Sequence, residues 1–135
     1  MRLSLKVDVD TLDGLTKGVP ALLDIFAARG IRASFFLALG PDNSGRAVFR
    51  VFRQSGFLDK MFRSRAPAIY GWRTMLYGTL LPAPRISAAA SEVLPRITAA
   101  GHEVGLHGFD HVRWHDRLLT MNREEVDEEI RQAQA

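Results

Sequence analysis

The sequence predicts an α/β fold with a parallel sheet. Short segments typical of strands alternate along the chain with longer segments whose composition and ends are those of helices, in the order β-α-β-α-β-α. With 135 residues, 47% of them hydrophobic, the chain is large enough for one domain with its own core. We therefore expect a single domain over residues 1–135, with the residues that carry chemistry at the carboxyl ends of its strands.

The first strand and the first helix follow from alternation and from end signals. Polar and apolar residues alternate over residues 3–10, which is the pattern of a strand with two different faces. The alternation puts Asp8 and Asp10 on the same face, opposite the apolar one. A helix is expected over residues 18–29, because its first turn tolerates a proline and Gly30 is suited to end it.

The remaining regular elements are predicted by the same kinds of signal. Residues 33–39 form a second, more apolar strand, and residues 87–100 form a helix that is ended by a glycine. Residues 102–106 form a short third strand. Asn122 and Glu125 have the spacing of a capping box, which opens a last helix rich in Glu and Arg. Each predicted strand is therefore followed by a helix, as a parallel sheet requires.

Residues 41–85 are expected to be an insertion with a charge of its own. They hold eight basic residues and two acidic ones, a net charge of +6, whereas the whole chain has a net charge of +3. Large aromatic residues alternate with the basic ones, and glycines and prolines divide the segment into one or two short helices. This composition suits a surface that faces anionic lipid headgroups. The equally weighted alternative is that the aromatic residues are core residues and the arginines a solvated face.

Several classes of protein are disfavoured by the composition. The chain has no cysteine, which excludes a disulfide framework and a thiolate metal site. Lys6 and Asp8 interrupt the stretch that would be the apolar part of an export signal, and no apolar run approaches the roughly 18 residues of a membrane span. No nucleic-acid-binding motif accompanies the basic residues. We expect a soluble or peripheral protein on the cytoplasmic side.

The candidate functional residues lie at the ends of the first and third strands. Asp8 and Asp10 end the first strand, and His107 and His111 follow the third. Adjacent carboxylates repel each other unless a cation lies between or beside them. Carboxylate and imidazole groups together are ligands for zinc, cobalt, manganese or iron, and the sequence does not choose among these metals. The pattern predicts a divalent metal site of the kind that catalyses hydrolysis.

Each of these motifs also has an ordinary structural interpretation. An isolated Asp-x-Asp is often turn chemistry, and two histidines four residues apart are common on helix surfaces. Gly108 and the strand before His107 argue against a helix that carries both His107 and His111. His115 extends the series, so the spacing alone leaves open a site formed by His111 and His115. The metal-site hypothesis is favoured because both motifs coincide with strand ends.

Seven short stretches carry a resemblance to a known family. They are Val7-Asp8-Val9-Asp10-Thr11, Gly18-Val19-Pro20, Ala33-Ser34-Phe35-Phe36, Gly40-Pro41-Asp42-Asn43, Lys60-Met61-Phe62-Arg63-Ser64, Tyr70-Gly71-Trp72 and His102-Glu103-Val104-Gly105-Leu106-His107. With them the chain resembles the polysaccharide deacetylase superfamily, and within it the bacterial 4-deoxy-4-formamido-L-arabinose-phosphoundecaprenol deformylases. The Gly-Pro-Asp-Asn and Tyr-Gly-Trp stretches are more specific than the metal motifs, which many deacetylases share. The resemblance implies the N-terminal part of a deformed (β/α) barrel, incomplete in this chain.

The resemblance implies roles for individual residues. Asp10, His107 and His111 would bind a divalent metal ion, and Asp8 would be the general base for the attack of water on a formamide carbon. The implied reaction releases formate from undecaprenyl-phosphate-linked 4-deoxy-4-formamido-L-arabinose, a step of lipid A modification and polymyxin resistance at the cytoplasmic face of the bacterial inner membrane. The insertion would contact this lipid-linked sugar phosphate and the anionic membrane. Its candidate binding residues are Arg50, Arg53, Arg63, Tyr70 and Trp72.

The chain also departs from the superfamily pattern. It lacks an arginine motif that would steady the base and a later histidine that would protonate the leaving amine. His102 and His115 are poor substitutes, because the first precedes its strand and the second lies beyond the metal pair. We therefore expect a truncated catalytic domain that binds metal better than it turns over substrate and that self-associates through an open sheet edge. The alternatives are an N-acetyl glycan deacetylase and a catalytically silent metal-binding fragment.

Overall fold

The sheet is parallel, as the sequence predicts. A computed structural model describes residues 3–52 and 71–134, with the backbone alone for residues 49–52. Its strands are β1 (Lys6–Val9), β2 (Ser34–Leu37) and β3 (Glu103–Leu106), in the order β1-β2-β3. Its helices are α1 (Val19–Arg29), α2 (Ser44–Phe52), α3 (Ser87–Ala99), α4 (His111–Arg117) and α5 (Arg123–Gln134). The α/β class is confirmed; this part of the chain contains three parallel strands, and a complete barrel is not observed in it.

The three strands end level with one another. Val9 of β1 pairs with Leu37 of β2, which pairs with Leu106 of β3. The next residues continue this register, because the backbone N–H of His107 donates to the carbonyl of Leu37 at 2.9 Å. The chain therefore leaves the sheet at the same edge after β1 and after β3. This edge is where ligands bind in parallel α/β folds.

Helix ends follow the signals that the sequence contains. Gly30, directly after α1, has a φ of 61°, a left-handed conformation that glycine adopts without strain. Before α5, the backbone N–H of Asn122 donates to Glu125 Oε2 at 3.1 Å, and that of Glu125 donates to Asn122 Oδ1 at 2.9 Å. This reciprocal pair is the predicted capping box. A single π-helical turn over Gly14–Gly18, which the sequence did not predict, leads into α1.

The core lies between one face of the sheet and helices α1 and α3. Phe35 and Leu37 of the central strand are buried there, against Leu23 and Phe26 of α1 and Ile97 of α3. On the opposite face Lys6 and Asp8 are exposed, as the alternation predicts. In the described part of the chain, β1 and β3 form the two edges of the sheet.

The first and last residues of the insertion lie next to each other. Pro41 forms an antiparallel bridge with Arg85, and the backbone N–H of Asp42 donates to the carbonyl of Pro84 at 2.8 Å. Between these points lie α2 and a short 3-10 helix (Thr74–Leu76), so short helices are present as expected. None of the described helices has the length and apolar character needed to cross a bilayer.

Candidate metal centre

The level strand ends bring three of the predicted residues together. Asp10 Oδ1 lies 3.3 Å from His107 Nε2 and 3.7 Å from His111 Nδ1. The rings of His107 and His111 are stacked, with centroids 4.9 Å apart. One ligand atom from each residue lies within 4.8 Å of the other two, a spacing that can hold one metal ion. We refer to Asp10, His107 and His111 as the Asp-His-His cluster.

Two atoms of this cluster are buried without a hydrogen-bond partner. They are Asp10 Oδ1 and His111 Nδ1, and within the described part of the chain they are the only buried side-chain nitrogen or oxygen atoms in that condition. Buried polar atoms in folded proteins almost always have a partner. A divalent cation would provide one to both atoms at once, and a carboxylate with two imidazoles is a suitable ligand set for it. The residues present therefore fit a metal ion.

The electrostatic environment of His111 favours its neutral form. Burial lowers the pKa of His111 from its usual value, and the neighbouring His107 and His115 act in the same direction. Asp10 and Asp110 oppose this effect without reversing it. A neutral imidazole has a free lone pair for a metal ion, whereas an imidazolium has none. His111 is thus held in the form that binds metals.

Asp8 lies beside the cluster rather than in it. Its Oδ1 is 4.0 Å from His107 Nδ1 and 2.9 Å from Lys6 Nζ, and the Lys6 ammonium also lies over the ring of Phe36. Asp8 and Asp10 line an open groove of about 460 Å³, and Asp10 and His111 line a second cavity of about 180 Å³. Open space therefore adjoins the cluster at Asp10 and at His111.

The sequence spacing allows a metal site formed by His107 and His111 or one formed by His111 and His115, and the structure favours the first pair. His107 directly follows β3, whereas His111 is the first residue of α4, so no single helix carries both. His115 lies on α4 with its ring centroid 6.4 Å from that of His111, and its exposed ring pairs with Asp116 at 3.3 Å. Among the described residues, His115 belongs to no cluster with metal-binding spacing. The pair that meets Asp10 is His107 and His111.

The predicted binding residues of the insertion are described only in part. Arg53, Arg63 and Tyr70 lie outside the described residues, and so does the side chain of Arg50, whose backbone belongs to α2. Trp72 is described, and 67% of it is exposed.

A buried polar network behind the cluster was not predicted. Asp42, which is fully buried, accepts hydrogen bonds from the backbone of Leu12 and from the backbone and hydroxyl of Ser44. It thereby ties the loop after β1 to the loop after β2. Next to it, Asn43 Nδ2 donates to Asp110 Oδ2 at 2.7 Å, which ties the loop after β2 to the loop after β3. All three strand ends are therefore connected.

The loops after β2 and β3 also touch through their backbones. The N–H of Gly40 donates to the carbonyl of Phe109 at 2.8 Å, and a Cβ at position 40 would lie 2.4 Å from that oxygen. Only glycine allows this approach. The Gly-Pro-Asp-Asn stretch at residues 40–43 thus has a physical role, and the resemblance was the sequence signal that marked it.

Comparisons with known proteins agree with this structure. Two curated relatives are each named a probable 4-deoxy-4-formamido-L-arabinose-phosphoundecaprenol deformylase ArnD. The protein from Shewanella sediminis (strain HAW-EB3) is 43% identical over 129 residues, which are 96% of this chain and 42% of the relative. The protein from Wigglesworthia glossinidia brevipalpis is 32% identical over 117 residues, 87% of this chain and 40% of the relative. The chain spans about two fifths of the length of these relatives.

A family model gives the broader classification. The model described as polysaccharide deacetylase matches residues 9–135, which include Asp10, both histidines of the cluster and the network behind them. On this match, and in agreement with its parallel α/β fold, the chain belongs to the polysaccharide deacetylase family.

Proposed function

We propose that this chain is the metal-binding part of an amide hydrolase that removes a formyl group from a lipid-linked 4-deoxy-4-formamido-L-arabinose. The observation that carries the proposal is the pair of buried, unpartnered atoms in the Asp-His-His cluster, because a divalent cation accounts for both. The names of the two relatives support the substrate class. Residues 1–135 would form one domain, with residues 41–85 as an insertion beside the site.

The proposed chemistry assigns different roles to the two aspartates. Asp10 would bind the cation with His107 and His111, and a cation held there would polarise an amide carbonyl and lower the pKa of a bound water. Asp8 would accept a proton from the attacking water, because its carboxylate lies outside the cluster but within 4.0 Å of His107. Lys6 would keep that carboxylate oriented through its contact at 2.9 Å.

The proposed reaction is the hydrolysis of a formamide by one water molecule. The water oxygen joins the formyl carbon, the C–N bond of the formamide breaks, and a proton passes to the nitrogen. The products are formate and a free amino sugar. Family membership also favours a second candidate substrate, an N-acetyl glycan, whose hydrolysis would release acetate by the same chemistry. A chain that binds metal without releasing either acid would be a silent metal-binding fragment.

The test combines metal binding with product analysis. The purified chain is titrated with Zn²⁺, Co²⁺, Mn²⁺ and Fe²⁺ in a calorimeter, and the Asp10→Asn and His111→Ala variants are titrated in parallel. We expect binding near one ion per chain in the unmodified protein and a large loss in both variants. Formate release from the formamido-sugar lipid and acetate release from an N-acetyl glycan are then compared. A chain that binds none of these ions would contradict the proposal.

We also propose peripheral contact with an anionic membrane through the insertion. Trp72 and Leu80 are large apolar residues that are 67% and 74% exposed, and Arg73 between them is exposed as well. Exposed aromatic and basic residues close together in the sequence suit a lipid interface. Flotation with vesicles that contain anionic lipid tests this contact. We expect the Arg50, Arg53 and Arg63 triple charge reversal, and separately Trp72→Ala, to reduce flotation, and unchanged flotation in both would reject it.

Self-association is proposed from the edges of the sheet. Leu5 on the β1 side and Val104 and Leu106 of β3 are partly exposed at 37%, 39% and 37%. Apolar edge strands pair readily with other strands. Sedimentation over a range of concentrations should therefore show oligomers, and a monomer at every concentration would contradict this part of the proposal.

A further inference from the structure

We propose that Asn43 is a positioning residue of the metal centre, which acts by holding Asp110 and thereby fixes where α4 begins and where His111 lies. The inference rests on the metal site proposed above. Asn43 is only 5% exposed, and its Nδ2 donates to Asp110 Oδ2 at 2.7 Å across 67 residues of sequence. Asn43, Asp10 and His111 line the same small cavity. It is therefore next to the cluster and bonded to the residue before one of the predicted ligands.

Asp110 controls the backbone on both sides of His111. Its Oδ1 accepts from the backbone N–H groups of Val112 and Arg113, both at 3.1 Å, which caps the first turn of α4. Its own N–H donates to Glu129 Oε2 at 3.1 Å. The residue before His111 and the two residues after it are thus all held through Asp110. A displacement of the Asp110 side chain must therefore move His111.

Asp110 is held between two anchors on different elements. On one side is Asn43, in the loop after β2, and on the other is Glu129 of α5, which is 1% exposed. Glu129 Oε1 pairs with Arg113 Nη1 at 2.7 Å, so the buried acid has a cationic partner. Without Asn43, the Oδ2 of Asp110 would lose its donor, although the backbone bond from Gly40 to Phe109 would still join the two loops. Asn43 is therefore the side chain that ties Asp110, the residue directly before His111, to the loop after β2.

Position 43 suits a neutral hydrogen-bond donor. A carboxylate there would face Asp110 and repel it, and a cation would weaken the binding of a metal ion nearby. The Asp110 carboxylate orients the amide, because only the nitrogen end can donate to it, and Asn43 Oδ1 then lies close to Gly78, where an added Cβ would be 2.3 Å away. The oxygen end of the amide thus packs against the turn at Gly78, and the nitrogen end faces Asp110. Groups behind metal ligands commonly change metal affinity by about 10- to 100-fold when they are removed.

The experiment exchanges donor and acceptor. Asn43→Asp sets two carboxylates against each other, whereas the double variant Asn43→Asp with Asp110→Asn restores one donor and one acceptor with their positions swapped. An asparagine at 110 can still accept from Val112 and Arg113 through its Oδ1. The full chain is titrated with Co²⁺, and affinity and the visible absorption spectrum are recorded. We expect Asn43→Asp to lower the affinity about tenfold or more with an altered spectrum, and the double variant to recover most of both.

Two further variants separate positioning from general stability. Ser34→Ala removes the hydrogen bond from Ser34 to Glu103 where β2 and β3 begin, at the opposite ends of these strands from the cluster, and should leave Co²⁺ affinity and spectrum unchanged. Asn43→Ala removes the donor without adding charge and replaces Asn43→Asp if that variant does not fold. It should lower the affinity in the same direction by a smaller factor.

The outcomes are distinct. If the unmodified chain binds no Co²⁺, the proposed function fails and this inference fails with it. If the unmodified chain binds Co²⁺ and the Asn43 variants bind it equally well with the same spectrum, the metal site stands and the role of Asn43 is overturned. The role is also overturned if Ser34→Ala lowers affinity as much as Asn43→Asp, or if a folded double variant shows no recovery.

Discussion

The two ends of β3 each carry a histidine, and the two environments differ in burial and in hydrogen bonding. His102 precedes the strand and is 7% exposed; its Nδ1 accepts from the backbone of Ala33 at 3.1 Å, and its ring packs edge-on against Phe26 and Phe35. His107 follows the strand and lies in the cluster with Asp10, where buried polar atoms have no partner. The structural histidine is the more deeply buried of the two, and its ring nitrogen has a protein donor. The histidine of the cluster is partly exposed and lies beside buried polar atoms that lack a partner.

The largest expected effect is a loss of metal affinity when His107, at the carboxyl end of β3, is replaced. His107→Ala removes one of three predicted ligands, and we expect metal affinity to fall by at least about 1,000-fold, roughly 4 kcal/mol. The stability of the metal-free chain should change by less than about 1 kcal/mol, because the side chain is partly exposed and stacks on His111 rather than on a residue of the core. Calorimetric titration and urea unfolding measure the two quantities. An affinity within tenfold of the original would remove His107 from the site.

At the other end of β3, replacement of His102 is expected to lower stability and to leave metal affinity unchanged. His102→Ala should leave metal affinity unchanged and lower the free energy of unfolding by about 2–4 kcal/mol, because it leaves a cavity beside Phe35 and an unpaired N–H at Ala33. His102→Asn can still offer an acceptor to that N–H and should lose less. Urea unfolding of the metal-free variants gives the comparison. A loss of metal binding in either folded variant would mean that the two ends of the strand are coupled.

The sequence contained enough information for the end of α1 and the start of α5. Gly30 and the pair Asn122 and Glu125 are local signals, and the structure confirms both. Parallel strands imply that Asp10 and His107 lie at one edge, although about a hundred residues separate them. In each case a short-range or topological rule was sufficient.

The network behind the cluster could not be predicted in the same way. Asn43 and Asp110 are 67 residues apart, and nothing local to either indicates the other. Glu129 belongs to a helix rich in charged residues, yet it is buried because its partners come from another element. A local signal in this region is Asp110, a typical N-cap, which predicts a helix that begins at His111 and leaves His107 outside it.

Smaller losses of stability and metal affinity are expected at Glu129, a buried carboxylate that has hydrogen-bond partners, unlike that of Asp10. Glu129→Gln keeps an acceptor for the backbone of Asp110 but removes the charge that pairs with Arg113. We expect about 1–2 kcal/mol of lost stability and a severalfold loss of metal affinity through Asp110. The matched control is Glu128→Gln, whose exposed carboxylate pairs with Arg131 on the same helix and should have no measurable effect. Equal effects of the two variants would show that burial of Glu129 has no special role.

The smallest effect is expected at His115, although its spacing matches that of the predicted pair. Its ring is exposed and 6.4 Å from that of His111, and it lies outside the Asp-His-His cluster. His115→Ala should change stability by less than about 0.5 kcal/mol and metal affinity by less than about twofold. The same titration and unfolding experiments measure both. If affinity fell as far as in His107→Ala, the ion would be held by α4 rather than by the strand ends, and the contrast between the two ends of β3 would no longer explain which histidines bind metal.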